Sequence, residues 1–219
     1  QSNIANHAAA PVQTAFPDTV FGFYDGRCAP AASPLPGATN VGGEWLTLLG
    51  DALIRSGRYD KVVIAPASVG GQPIFRFAEG DLGVMLDETV TTLAAARYRV
   101  THVIWHQGET DYADETAPDA YRVLFGKIVA LLRAGGVDAP IFVSVATYCE
   151  PMRSWSPDNP IAKVQRALPD AAKNIWPGAD SDAFDPKTSR FDNCHLSAAG
   201  QAQMARMQAA AIEAYDRRT

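Results

Sequence analysis

Thr101-His102-Val103-Ile104-Trp105-His106-Gln107-Gly108-Glu109-Thr110-Asp111 is an apolar run that breaks abruptly into polar residues. That is the pattern of a buried strand, predicted over 101–105, which delivers its carboxyl end into a functional loop. The same unit repeats on both sides. Upstream, Leu86, Val90, Leu93 and Ala94 form a helical stripe, and 61–65 is a short β-branched strand. Further back, Trp45, Leu48, Leu49, Ala52 and Leu53 recur at helical spacing and Gly57 supplies a stop. Downstream, Thr116 and Asp119 read as a cap for a helix that turns Tyr121, Leu124, Phe125, Ile128, Leu131 and Leu132 inward and ends at Gly135-Gly136. A strand over 140–146 follows, then a loop over 148–159, a helix over 161–168 and a short strand over 174–176. Ser197 caps a last helix with Met204, Met207, Ala211 and Tyr215 on one face. Strands alternating with amphipathic helices imply right-handed βαβ units, hence a doubly wound, mostly parallel sheet in a three-layer α/β/α sandwich.

The first forty residues are less periodic. Residues 3–10 are Ala-rich and read as a short helix, and Val20-Phe21-Gly22-Phe23-Tyr24 followed by Asp25-Gly26 reads as half a hairpin. With 219 residues, 47% of them hydrophobic, the expectation is one domain over 1–219. The net charge of −5 comes with no run of Lys or Arg, so nucleic acid is not an expected partner. No apolar stretch reaches membrane-spanning length, and no membrane partner is expected. The three cysteines permit one internal disulfide. Cys28 and Cys149, both in Pro-rich loops, are the candidate pair, beside the alternative of three reduced thiols, and Cys194 reads as packing. No zinc-ligand spacing is present and no cofactor is expected.

In parallel sheets ligands bind beyond the carboxyl ends of the strands, where the polar blocks of this chain fall. Gln1-Ser2-Asn3 opens the chain, Gly70-Gly71 follows the 61–65 strand, Trp105 to Asp111 follows the next, and Asp192-Asn193-Cys194-His195 precedes the last helix. In these blocks the sequence resembles the SGNH/GDSL hydrolases, most closely their sialate O-acetylesterase-like, carbohydrate-esterase branch. The resemblance implies a serine esterase acting on small acyl esters, O-acetyl groups on carbohydrates foremost, with a small-molecule or glycan ester as partner. An arylesterase or short-chain lipase, or a carbohydrate-binding pseudoenzyme, would use the same groove.

The resemblance also implies roles. Ser2 matches the family nucleophile, His195 its base and Asp192 the carboxylate that orients the base. The backbone N–H groups of Ser2 and Gly71 and the side-chain amide of Gln107 match the oxyanion donors. Each residue has a plainer reading: Ser2 as a helix cap, Asp192 and His195 as a solvated pair, Gly71 as a turn. Glu109 and Asp111 organise the loop or are simply solvated, and Tyr148 and Trp155 stack on a sugar or pack in the core. His7, His102 and His106 are rival bases without a carboxylate at a matching position. The family places its nucleophile directly after a first strand, and here nothing precedes Gln1. A strand upstream of Gln1 is therefore expected, the alternative being a sheet that lacks it. A start at Gln fits a processed or excerpted chain and slightly favours a secreted or periplasmic setting.

Overall fold

A computed structural model describes residues 1–218. The chain forms two compact units, one made of Gln1–Gly70 together with the chain from Ala183 onward, the other of Gly71–Asp182.

In the first unit, β1 (Val20–Tyr24) and β2 (Arg27–Pro30) form the expected hairpin, and β3 (Val62–Ile64) pairs with β1 in parallel. Asp25 and Gly26 turn the hairpin with φ of 48° and 74°, a pair of left-handed conformations that Asp-Gly adopts at low cost. Helix α1 (Leu46–Arg55) lies against β1, β3 and α8 (Ala198–Asp216), and short α7 (Pro186–Ser189) also packs on α8. Trp45, Leu49, Leu53, Met204 and Ile212 fill this core. The Ala-rich start forms only a single 3-10 turn, Ser2–Ile4, because Asn6 leaves the helical region at φ 62°.

In the second unit, β5 (Ile141–Val145) is flanked in parallel by β4 (Val103–Trp105) and β6 (Ile175–Asp180). All five residues of β5 are buried, Ser144 among four apolar ones, as befits the central strand of a parallel set. Helices α2 (Ile74–Ala78), α3 (Asp81–Ala95) and α5 (Pro118–Ala134) pack on one another. Short α4 (Glu109–Ala113) and β5 both contact α6 (Pro160–Ala167). Trp105 meets Phe77 and Phe125 edge-on at centroid distances of 5.6 and 6.1 Å. The units are thus mixed α/β with mostly parallel pairing, as the alternation of periods required.

Four local expectations are corrected. Helix α5 is capped by Ala117 with Pro118 at its first position, and Thr116 Oγ1 donates instead to Asp111 at 2.8 Å. Ala94 of α3 is exposed, while Leu82, Gly83 and Leu93 are buried. The inward face of α8 carries Gln201, Met204, Ala205, Gln208, Ala209 and Ile212, a stripe displaced from the predicted one. Gln201 explains the displacement: its Nε2 donates to Ala10 O at 2.9 Å and Glu44 O at 3.0 Å, so a polar residue is satisfied inside. Finally, the disulfide-bonded cysteines are Cys149 and Cys194, both buried, whereas Cys28 keeps its thiol on exposed β2.

Among the described residues no helix is long and apolar enough to cross a membrane, and no group of His, Cys, Asp and Glu is arranged to hold a metal.

Candidate active site

The first unit carries Ser2, Asp192 and His195. Asp192 sits in a tight turn before α8, where its Oδ1 accepts the backbone N–H groups of Cys194 at 3.0 Å and His195 at 2.6 Å. Its Oδ2 lies 2.7 Å from His195 Nδ1. Burial pushes the Asp192 carboxyl up, but the bonds from the His195 side chain and backbone outweigh it and hold the group below the usual range. An ionised Asp192 makes Nδ1 the donor, so the proton of neutral His195 sits there and Nε2 is left as a base. The turn is fastened to the start of the chain: Leu196 N–H donates to the buried Asn3 Oδ1 at 2.7 Å, and Ala9 N–H to Leu196 O at 2.9 Å. The neighbour of His195 is therefore bonded to the neighbour of Ser2. Ser2 itself begins the 3-10 turn, largely buried, and its carbonyl accepts from Ala5 and His7. Among the described residues no hydrogen bond joins Ser2 Oγ to His195, a bond that in resting hydrolases often forms only with substrate.

Two rings stack on His195. His7 lies at a centroid distance of 5.4 Å with 21° between planes, and Phe191 at 6.1 Å with 30°. Phe191 is exposed. Sequence reasoning missed both contacts and the bond of Asn3 to Leu196, which no periodicity or motif in these segments marks.

The second unit carries Gly71, Gln107, Glu109, Asp111, Tyr148 and Trp155. Gly71 has φ 67°, and beyond its two chain neighbours no residue comes within 4 Å of where its Cβ would be. The left-handed backbone conformation itself calls for glycine here, in keeping with the turn reading. Gln107 is fully buried at the end of β4. Its Nε2 donates to Gln72 O at 3.1 Å and to Asp111 Oδ2, and its Oε1 accepts from Tyr121. Both N–H partners are obligate acceptors, which fixes the orientation of the amide. In the resting structure the Nε2 group that was expected to face a substrate oxyanion is bonded to these two acceptors.

Asp111 is buried and not solvated: it accepts from Gln107, from Ile74 N–H at 2.8 Å and from Thr116. Burial raises its carboxyl above the usual range against those three bonds. The residues after Gly71 are thus pinned twice, at Gln72 O by Gln107 and at Ile74 N by Asp111. Glu109 is also buried. Tyr148 is buried against the Trp155 ring at 6.1 Å, so the packing alternative describes Tyr148.

No curated protein matches the chain. Several solved structures resemble it, among them the following three. A protein from Arabidopsis thaliana is 18% identical with a TM-score of 0.75, covering 94% of this chain and 83% of its own. The acetyl xylan esterase AlAXEase is 15% identical with a TM-score of 0.52, over 77% of this chain and 90% of its own. A variant of an acetyl xylan esterase from Geobacillus stearothermophilus is 15% identical with a TM-score of 0.52, over 76% and 80%. At such identities the likeness shows the fold, and it is the α/β fold read from the sequence. The family model described as carbohydrate esterase, sialic acid-specific acetylesterase matches residues 31–214. The chain therefore belongs to the carbohydrate esterase, sialic acid-specific acetylesterase family, and is an ester hydrolase by membership.

Proposed function

We propose that the protein removes O-acetyl groups from carbohydrates through an acetyl-serine intermediate on Ser2. The observation that carries this reading is the Asp192–His195 pair, bonded at 2.7 Å and fastened beside Ser2 through Leu196 and Asn3. His195 Nε2 takes the proton of Ser2 Oγ as that oxygen attacks the acetyl carbonyl. The sugar alkoxide leaves with the same proton, and the acyl group remains on Ser2. Water then adds, His195 again acting as base, and acetate is released with Ser2 regenerated. The imidazolium formed in each half-reaction is stabilised by the ionised Asp192.

The tetrahedral oxyanions need preorganised donors. The backbone N–H of Ser2 takes that role in our reading, on its match to the family motif.

A substrate panel tests the proposal. Acetylated mono- and oligosaccharides should be turned over with higher kcat/KM than aryl acetates, and acyl chains beyond a few carbons should be poor substrates. Preference for aryl or long-chain esters would replace the carbohydrate assignment by a general esterase. Sugar binding without turnover would make the groove a binding module.

A further inference from the structure

His7 is unused by the mechanism above, yet it is held at several points. Its backbone N–H donates to the carbonyl of Ser2 at 3.2 Å. The chain returns to make that bond because Asn6 adopts φ 62° and its buried side chain bonds Leu35 O at 3.0 Å and Leu35 N at 2.9 Å. His7 Nδ1 lies 3.1 Å from Asn40 Nδ2. Asn40 Oδ1 already accepts from Val41 N–H at 2.9 Å, which turns the amide nitrogen toward the ring. Nδ1 is therefore an acceptor, and the proton of a neutral His7 sits on Nε2. That edge of the ring lies over Gly70, where a Cβ would come within 2.5 Å of Nε2. The face of the ring is stacked on His195. Burial, and then the charge of His195, lower the pKa of His7, in agreement with the neutral form that the Asn40 bond requires.

We propose that His7 is a positioning residue for the base: an anchored, neutral imidazole whose face fixes the plane of His195 and receives it when it turns cationic. A single bond at Nδ1 leaves an imidazole free to swing about the carboxylate, and small departures from the productive geometry are costly in rate. Contact with the face of a second, fixed ring removes that freedom. It also offers π density, not a second positive charge, to the imidazolium.

The inference rests on His195 as the base, and the experiment keeps the two claims apart. With p-nitrophenyl acetate, His7→Ala should lower kcat by about tenfold with KM nearly unchanged. His7→Phe, which restores a flat uncharged ring, should recover most of the loss. Gly70→Ala, whose methyl group displaces the His7 ring, should lower kcat several-fold in the wild-type background and have no further effect on His7→Ala. Wild-type kcat in His7→Ala overturns the proposal, as does a Gly70→Ala effect of equal size in both backgrounds. If His7→Ala fails to fold, His7→Ser, which also removes the ring, takes its place with the same expected and overturning outcomes. His195→Ala is run beside them, and activity that survives there refutes the base itself, whatever His7 does.

Discussion

Asp192 bonds the His195 ring and also the backbone N–H of the same residue, so one carboxylate sets both the tautomer of the base and the turn that carries it. Asp192→Asn keeps the shape but presents an N–H to Nδ1, stabilising the wrong tautomer. It should lower kcat by about 10³- to 10⁴-fold with little change in KM, read from steady-state kinetics on an acetyl ester. A loss below about tenfold would reduce the pair to a structural contact. Gln107 and Asp111 make a second residue-level test. Gln107 bonds Asp111 and both hold the backbone after Gly71, so Gln107→Ala and Asp111→Asn should each destabilise the fold by about 1 to 3 kcal/mol in urea unfolding, and the double variant by less than their sum. Full additivity would show two independent contacts. The sequence made Ser2, Asp192, His195, Gly71 and Gln107 legible as candidates through residue type, and family resemblance supplied their roles. It did not disclose that Gln107 is spoken for, because Gln72 offers a backbone carbonyl, identical in every residue. Nor did it disclose the His7 stack, which depends on the left-handed turn at Asn6.

At the level of elements, apolar periodicity located the longer helices and the strands, passed over the short helices α2, α4 and α7, and failed where polar side chains are buried. Helix α5 was legible because Tyr121, Phe125, Ile128 and Leu132 are large, apolar and evenly spaced. The stripe on α8 was misread because Gln201 and Gln208, both fully buried, carry no apolar signal. Gln201→Leu should confirm the cause. It would leave the N–H and carbonyl of Ala10 and the carbonyl of Glu44 without that partner, destabilising the fold by about 2 to 3 kcal/mol in urea unfolding. A cost below about 0.5 kcal/mol would show those groups to be satisfied elsewhere. Ser197 was read correctly as a cap: its Oγ accepts from Gly200 N–H at 3.2 Å. Ser197→Ala should cost about 1 kcal/mol in the same measurement. The cap of α6 was missed, although Asn159 Oδ1 accepts from Ile161 and Ala162 at 2.9 and 3.1 Å, because its loop position hid the start of the helix.

For the whole molecule, the oxidation state of the cysteines is a direct check on the structure. Alkylation without prior reduction should modify Cys28 alone, with Cys149 and Cys194 reached only after reduction and unfolding. The fold class followed from alternating periods, but the pairing of cysteines could not, since loop composition carries no information about which thiols meet. The central claim is that Ser2 is the nucleophile and is activated by His195. Reaction with a fluorophosphonate, followed by peptide mass spectrometry, tests it most directly. The account predicts stoichiometric phosphonylation on the peptide that contains Ser2, loss of acetyl-ester turnover in step with it, and slow labelling in His195→Ala. Label on another residue, or full turnover in Ser2→Ala, would contradict it.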